Sequence, residues 1–378
     1  MPLLKGLNGK CDEFFVGQIT NGSFTSSSNS SHFVDLQNGQ IMRIGRGKRV
    51  ITLLRALLLL KAYVKQQDSR EFIVVYRSIG GALIYLFMKL AGVRFKGAVY
   101  DSDGLAIQER IETKVWRKYG VQSLLAKTIE LFGINAASKI LVRSSETISQ
   151  ITSRKLVFGM KQFCLLINGR DTNMFSPETR EVRNKIRTDL GFSEEDFIII
   201  YAGTIGNQYM IPEMKKVFEK IKFHVEHSKF LVLTYAQDEV IDEFFGSEES
   251  RLDSNIYVYR VVPDLVGRVM CIGDVGLSMR LTLPSMNHVA PLKYREYLLA
   301  GVPVIYSGNT GDPGIKSNVV VRELDPKESS SYVDVANWVS TNLVSNREEI
   351  RFVTRNYGLE NFDILKDSIK LAKFLTEC

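Results

Sequence analysis

Residues 281–307 read LTLPSMNHVAPLKYREYLLAGVPVIYS. This stretch predicts a loop, a short helix that begins at Pro291, and a buried parallel strand over 302–306. Proline suits a first helical position because its missing N–H is not needed there, and Gly301 can adopt the positive φ that ends a helix. Alternation of strand and helix in this way is typical of a parallel α/β sheet.

The start of the predicted helix is also a candidate binding site. A helix that opens at Pro291 directs free backbone N–H groups and the positive end of its dipole at the preceding loop, which favours an anion such as phosphate. Glu296 lies about a turn and a half further along, where a carboxylate can accept hydrogen bonds from two neighbouring hydroxyls, as on a ribose. An ordinary strand–helix unit with a surface glutamate is the alternative. The residues assigned to the anion site are Ala290, Pro291, Leu292 and Lys293.

The composition indicates a globular protein of two domains. At 378 residues the chain exceeds one ordinary core, and its 45% hydrophobic and 24% charged content is usual for a soluble protein. The four cysteines show neither CxxC pairing nor zinc spacing, so we expect reduced thiols and a cytoplasmic protein. No secretory signal is visible, and the longest apolar run, residues 79–88, is well short of the roughly 20 residues that span a bilayer.

Charge is distributed unevenly along the chain. Residues 1–170 contain 25 Lys+Arg and 11 Asp+Glu, a net charge of +14, whereas residues 171–378 contain 24 and 31, a net charge of −7. A basic first half indicates an anionic partner. No RNA-binding motif, zinc finger or helix-turn-helix supports nucleic acid, so we expect a membrane surface or an acceptor that carries a diphosphate. A basic turn followed by a leucine-rich helix over 43–65 fits contact with lipid phosphates, and a core-facing helix with a solvated basic start is the alternative.

Two acidic residues follow a predicted strand in the first half. The pattern predicts strands over 13–19, 72–76 (buried) and 98–100, and helices over 78–90 and 116–132. Asp101 and Asp103 come at the carboxyl end of the third strand, the edge at which open parallel sheets bind ligands. A turn and a helix N-cap, where aspartate is also favoured, are the alternative.

The second half repeats the alternation of strand and helix. A predicted strand over 197–201 is followed by Gly203 and Thr204, and a glycine there lets a ligand approach the backbone. The alternation predicts a doubly wound parallel sheet. Further along, a strand over 255–262 contains Arg260 and Val262, and Arg280 follows a short strand over 274–277.

These segments resemble the group 1 retaining glycosyltransferases of the GT-B fold, enzymes that build bacterial surface polysaccharides such as capsule and lipopolysaccharide. The stretch around Glu296 is similar to the family's donor-binding helix. Residues 165–178, LLINGRDTNMFSPE, are similar to its interdomain stretch, in which Asn168 and Gly169 form a tight turn. The resemblance covers most of the chain and is strongest over 163–310.

The resemblance implies two Rossmann-like doubly wound domains with a cleft between them and a C-terminal helix that crosses back. An acceptor-side domain would cover residues 1–166, a nucleotide-sugar-binding domain 167–355, and the crossing helix 356–378. The implied activity is transfer of a sugar from a nucleotide diphosphate sugar to a lipid-linked or polysaccharide acceptor, with retention of configuration. No metal, and no cofactor beyond the donor substrate, is implied. We expect a cytoplasmic enzyme in peripheral contact with an anionic membrane.

The resemblance also assigns roles around the sugar. Glu296 matches the glutamate that binds the donor ribose. His288 stands eight positions earlier, where the family often has a second glutamate that contacts the sugar. Asp101 or Asp103 would lie near the transferred sugar, and the backbone over 260–263 would hold the nucleotide base.

The diphosphate would face the glycine turn after the strand at 197–201. Gly203 and Thr204 occupy this turn, but no basic residue follows until Lys215, whereas the family has basic residues shortly after the glycine. The positive charge that a diphosphate needs would therefore come from Arg280, Lys293 or the helix that opens at Pro291.

Two other activities fit the same sequence. An epimerase of the same fold would turn over the nucleotide sugar alone. A non-catalytic partner of a glycosyltransferase would bind it without turnover, and His288 and the absent basic residues after Gly203 keep that alternative open. Asp101 and Asp103 also form an Asp-x-Asp motif that could hold a metal in the GT-A fold, which we reject because the rest of the chain resembles GT-B.

Overall fold

The computed structural model describes residues 73–102, 105–308 and 319–376, together with the backbone of three strands before residue 45 and two helical residues, Leu58 and Ala62. Two compact units divide the chain, one formed by Met1–Leu166 with Ser368–Cys378 and the other by Ile167–Asp367. Asp103 and most of the basic segment predicted over 43–65 lie outside the described residues.

The described residues of the first unit form two sheets. Its strands are β1 (Phe14–Ile19), β2 (His32–Leu36), β3 (Gly39–Ile44), β4 (Ile73–Arg77), β5 (Gly97–Asp101), β6 (Lys139–Val142) and β7 (Gln162–Leu165). The first three form a sheet in the order β1-β3-β2, with β1 parallel and β2 antiparallel to β3. The other four are parallel and run in the order β4-β5-β6-β7. The helices described in this part of the chain are α1 (Ser78–Leu90), α2 (Ala106–Glu112), α3 (Val121–Ala136) and α4 (Ser145–Thr152).

Three sequence predictions for the first unit need correction. The strand near 72–76 is predicted as buried, but among the described strands β4 lies at an edge of its sheet, and Tyr76 is its one buried residue. Arg43 lies in β3 and not in a basic turn. The helix predicted from Trp116 begins at Val121, because Gly120 is an N-cap with extended backbone. The helix predicted over 78–90 is confirmed.

The part of the second unit that the structure describes is built on one six-stranded parallel sheet. Its strands are β8 (Phe197–Ala202), β9 (Ser228–Thr234), β10 (Ile256–Arg260), β11 (Val275–Ser278), β12 (Val304–Ser307) and β13 (Val321–Leu324). They are ordered β10-β9-β8-β11-β12-β13, so the strand order reverses between β8 and β11. Open α/β sheets bind ligands at such a reversal, outside the carboxyl ends of the strands. The described helices of this unit are α5 (Arg180–Asp189), α6 (Ile211–His224), α7 (Asp238–Phe245), α8 (Glu248–Asp253), α9 (Val266–Met270), α10 (Leu292–Leu299), α11 (Ser329–Trp338) and α12 (Arg347–Phe362).

Strand β8 lies at the centre of this sheet, and all six of its residues are buried. Ile199 and Tyr201 belong to the core on one face, and Ile198 and Ile200 to the core on the other. Helices therefore cover both faces, which explains the uninterrupted apolar run of this strand.

The helix and strand that follow β11 form as predicted, with two shifts at their ends. Helix α10 begins at Leu292, and Pro291 is its N-cap instead of its first helical residue. Gly301 has a φ of 72°, and the N–H groups of Gly301 and Val302 donate to carbonyls of the last helical turn at 3.1 and 2.9 Å. These two bonds close the helix end. Because Val302 takes part in them, β12 begins at Val304, two residues later than predicted.

The last helix, α13 (Ile364–Thr376), begins in the second unit and ends in the first. Leu371 packs with Leu166 in the core of the first unit. Lys139 Nζ donates to the carbonyl oxygen of Phe374 at 2.5 Å. The chain from Ser368 onward therefore packs on the first unit.

Candidate functional site

The reversal of strand order in the second unit brings two turns together at the carboxyl edge of the sheet. Gly203 follows β8 with a φ of 153°, and the carbonyl of Thr204 accepts a hydrogen bond from Tyr201 Oη at 2.6 Å. Arg280 follows β11, and its N–H donates to Ser307 Oγ, which donates back to the Arg280 carbonyl, both at 2.9 Å. The backbone of both turns is therefore held in place by side chains of the sheet.

Helix α10 is fixed against the same edge. Tyr297 Oη accepts a hydrogen bond from the N–H of Ala202 at 2.8 Å. A Cβ at Gly276 would lie 2.6 Å from the Tyr297 ring, so the ring lies directly on β11. No side chain caps the start of α10 at Pro291, which leaves its first backbone N–H groups directed at the edge of the sheet. Ala290 and Pro291 are buried there, and Leu292 points outward with 45% exposure.

Lys293 reaches from α10 to the glycine turn. A Cβ at Gly203 would lie 2.0 Å from Lys293 Nζ, so the ammonium group occupies the space that the glycine leaves. Nζ donates to Tyr201 Oη at 3.0 Å and lies 4.5 and 4.3 Å from the ring centroids of Tyr201 and Tyr209. Burial, together with nearby Arg280, lowers the pKa of Lys293 to about 8, and Glu296 opposes this shift.

Arg280 adds a second cation beside the same aromatic ring. Its guanidinium carbon lies 5.7 Å from the ring centroid of Tyr209, and its buried Nε has no hydrogen-bond partner among the described residues. Two cations within one aromatic-lined turn repel each other, and an anion bound between them would relieve that repulsion. The sequence has no basic residue directly after Gly203, and Lys293 and Arg280 therefore provide the positive charge at this turn.

Glu296 lies one turn further along α10 and is paired with Arg170. Arg170 Nη2 lies 2.7 Å from Glu296 Oε1, and the side chain of Glu296 is 13% exposed. Burial raises the pKa of Glu296, and Arg170 and Lys293 oppose that rise. The arginine lies over the ring of Phe175, at 5.2 Å from its centroid. An oriented carboxylate thus lies on the same helix as the ammonium group at the glycine turn.

The remaining predicted residues of the second unit are spread along the same edge. His288 is buried at the end of a short 3-10 helix, Pro284–His288, in the loop before α10. Arg260 ends β10, two strands from β8, and its guanidinium pairs with Asp238 at 2.7 Å. Val262 is 48% exposed beyond that strand.

In the first unit, Asp101 belongs to an ion cluster. Its Oδ1 lies 2.8 Å from Arg143 Nη2 and its Oδ2 lies 2.7 Å from Arg77 Nε. Arg143 is 1% exposed and Asp101 6% exposed. Both carboxylate oxygens therefore hold arginines at the carboxyl edge of that sheet. Asp103 lies outside the described residues, and no cluster of metal-ligating side chains occurs within residues 73–102, 105–308 and 319–376.

Several residues of this constellation are not predicted by the sequence. Arg170 lies in a stretch interpreted as a domain boundary, and Tyr201 ends a strand whose apolar pattern indicates core. Tyr209 and Ser307 belong to segments without a distinctive pattern. The one available signal is the basic residue that directly follows Asn168-Gly169.

Searches against protein-family models and against curated proteins find no match, whereas many solved structures are similar. A trehalose-phosphate synthase (UDP-forming) from Burkholderia xenovorans, in complex with glucose-6-phosphate, has a TM-score of 0.70 at 10% identity, over 99% of this chain and 95% of that chain. Sucrose-phosphate synthase from Thermosynechococcus elongatus has a TM-score of 0.69 at 13% identity, over 95% and 87%. Anabaena HepE in complex with UDP-glucose has a TM-score of 0.65 at 12% identity, over 89% and 86%.

None of the described helices combines the length and the apolar character needed to cross a membrane.

Sequence identities of 10–13% to the solved structures show common architecture and not common activity. Together with the two parallel-sheet units, the similarity to these enzymes shows that the chain has the GT-B fold.

Proposed function

We propose that this protein is a glycosyltransferase that moves a sugar from a nucleotide diphosphate sugar to an acceptor hydroxyl, with retention of configuration. One arrangement carries the proposal: Lys293 Nζ lies against the turn at Gly203, and Glu296 is paired with Arg170. Lys293 and Glu296 lie on the same helix, at the point where the strand order reverses. Cations at a glycine turn suit a diphosphate, and an oriented carboxylate suits vicinal hydroxyls of a ribose.

In this proposal the donor site stabilises the leaving group. The bond between the anomeric carbon and the phosphate oxygen breaks, and its electron pair stays on the diphosphate. Lys293, Arg280 and the first N–H groups of α10 stabilise the charge that develops there. The acceptor oxygen bonds to the same face of the sugar and its proton passes to the departing diphosphate. Glu296 positions the donor through the ribose.

Other parts of the donor and acceptor are assigned by the family resemblance. The backbone over 260–263, with Arg260 and Val262, would hold the base, and His288 would lie near the sugar. We assign the acceptor to the first unit, with Asp101 or Asp103 as its polar contact. We propose a lipid-linked or polysaccharide acceptor, no metal, and a cytoplasmic enzyme at the membrane surface. UDP-sugars are the first donors to test, because HepE was solved with UDP and UDP-glucose.

Calorimetric titration tests the donor site. We expect one nucleoside diphosphate from a panel of UDP, GDP, ADP and TDP to bind the native protein. Glu296→Gln should weaken it at least tenfold and leave inorganic pyrophosphate binding unchanged, whereas Lys293→Met should weaken both. If no nucleotide binds, or if both variants bind as the native protein does, the site assignment is wrong.

Product analysis then separates the three activities. A transferase should release the nucleoside diphosphate faster when the acceptor is present, with the sugar joined to it in the donor's configuration. Epimerisation of the donor sugar without acceptor would favour the epimerase. Tight donor binding without turnover, across lipid-linked and glycan acceptors, would favour a non-catalytic binding protein.

A further inference from the structure

We propose that the corner between α2 and α3 docks on an anionic lipid bilayer. The α2–α3 corner is the surface formed by five large apolar or aromatic side chains on the turn after α2 and on the first turns of α3. Their exposed fractions are 67% for Val115, 78% for Tyr119, 82% for Val121, 50% for Leu124 and 59% for Leu125.

The backbone beneath this surface is held in a defined turn. Ser123 is fully buried, and its Oγ lies within 3.0 Å of the carbonyl oxygens of Arg117, Lys118 and Gly120. The N–H of Gly120 also donates to the Arg117 carbonyl at 3.0 Å. Because one buried hydroxyl organises the turn, the corner presents its apolar side chains to solvent from a fixed support.

The charge around the corner identifies the partner. Residues 110–128 contain five basic residues and one acidic residue, and Lys114, Arg117 and Lys118 are exposed. Arg110 lies 4.8 Å from the ring of Trp116, and Lys118 lies 5.4 Å from the ring of Tyr119. Apolar tips, interfacial aromatic rings and basic side chains match the acyl, headgroup and phosphate layers of an anionic membrane. A second copy would instead bring two basic surfaces together.

The corner also lies at the edge of the sheet that the proposed function uses. Two residues separate the end of α3 from the start of β6, so α3 runs back along the sheet and begins at its carboxyl edge. That edge carries the ion pair of Asp101 with Arg143. If the acceptor is lipid-linked, which rests on the proposed function, membrane docking at the corner would present this edge to it.

Vesicle cosedimentation of the full chain tests the proposal. We expect binding to phosphatidylcholine vesicles that contain 30% phosphatidylglycerol, little binding to phosphatidylcholine alone, and loss of binding at high salt. The double substitution Val121→Asp with Leu125→Asp should weaken binding at least tenfold, and Lys114→Glu with Lys118→Glu should weaken it similarly.

Phe223→Asp is the matched control, because Phe223 is 85% exposed beside basic residues of α6 in the second unit. It should bind vesicles as the native protein does. Nucleotide titration of every variant separates this proposal from the donor site, because the corner substitutions should leave nucleotide affinity unchanged.

Four results would overturn the proposal. The native chain would bind neither vesicle, or the corner variants would bind as Phe223→Asp does. A native dimer that the double substitution dissociates would assign the surface to a second copy. A large fall in Tm confined to the corner variants, without loss of vesicle binding, would show that another part of the chain covers it.

Discussion

Arg170 is bound at both ends: its guanidinium lies 2.7 Å from Glu296 Oε1, and its backbone pairs with the segment around Asp363. Its N–H donates to the Phe362 carbonyl at 2.9 Å, and its carbonyl accepts from the Ile364 N–H at 3.2 Å. This pairing fixes the start of the arginine side chain, so the guanidinium holds the carboxylate of Glu296 in one orientation. Arg170 is therefore a positioning residue for the proposed ribose contact.

Arg170→Ala should weaken nucleotide binding about tenfold and make it sensitive to acid. Burial already raises the pKa of Glu296, and loss of the opposing arginine raises that pKa further. The carboxylate is then protonated at a higher pH than in the native protein, so acidification should reduce the affinity of the variant before it reduces that of the native protein. Titration calorimetry at two pH values, pH 7.5 and a mildly acidic one, measures the difference.

Arg170→Lys provides the control, because it keeps a cation on the same backbone. It should restore most of the affinity at pH 7.5, although one ammonium group cannot reproduce a guanidinium. Equal affinities for the alanine variant and the native protein at both pH values would contradict a positioning role.

Gly203→Ala should displace Lys293 from the turn and reduce nucleotide affinity at least tenfold. The added methyl group would lie 2.0 Å from Lys293 Nζ, and the φ of 153° at Gly203 disfavours any side chain. Gly206→Ala, in the same turn, is the matched control, because a Cβ there meets nothing within 4 Å. Binding assays on both variants should therefore differ sharply, and equal losses would show that the turn is merely sensitive to substitution.

The parts of the fold and site that depend on local sequence could be predicted. The doubly wound parallel sheet, the helix after Arg280 and its stop at Gly301 follow from strand–helix alternation and from residues with distinctive backbone preferences. The GT-B fold follows from the family resemblance, which rests on short local motifs such as Asn168-Gly169. The position of Glu296 on this helix follows from its distance from Pro291, whereas its role as the ribose contact stays a prediction. These features are encoded within single segments, so one sequence suffices to find them.

Features that depend on contacts between distant segments could not be predicted. The pairing of Arg170 with Glu296 joins a strand-end stretch to a helix far along the chain. The choice of Lys293 for the glycine turn depends on where α10 lies against β8. Similarly, the apolar pattern before Arg77 predicts a buried strand, and only the sheet order reveals an edge. The pattern of a segment indicates how apolar its surroundings should be, but not which other segments it contacts.

Asp101→Asn should destabilise the protein, because it removes the carboxylate that holds buried Arg143. Loss of one partner of a buried ion pair costs about 3–5 kcal/mol, and the exposed Arg77 adds little. Urea unfolding measures the change. If the variant instead unfolds like the native protein but loses transfer activity, Asp101 acts on substrate and not on the arginines.

Asp274→Asn should lower the free energy of unfolding by a similar amount at neutral pH, although Asp274 lies far from the candidate site. Burial opposes ionisation of Asp274, but Arg187, Arg351 and Arg347 with the Ile198 N–H lower its pKa below the usual value. A carboxyl whose pKa is lowered on folding stabilises above its unfolded pKa and loses that effect as pH falls. The stability difference between native and variant should therefore shrink below about pH 4, while the folded variant should still bind nucleotide normally.

Nucleotide affinity should fall as the pH rises through about 8, because Lys293 loses its charge there. Its pKa is lowered to about 8, so the ammonium form that attracts a diphosphate predominates below that value and declines about tenfold per pH unit above it. Lys293→Arg should bind with little change to pH 9, because a guanidinium stays charged, and Lys293→Met should bind weakly at every pH.

Loss of folded protein through deprotonation of Lys293 cannot explain such a fall in nucleotide affinity. A lysine whose pKa falls on folding binds fewer protons in the folded than in the unfolded state, so its contribution to stability increases from about pH 8 toward about pH 10. Affinity and stability should therefore change in opposite directions, and parallel losses in the native protein and Lys293→Arg would contradict the assignment.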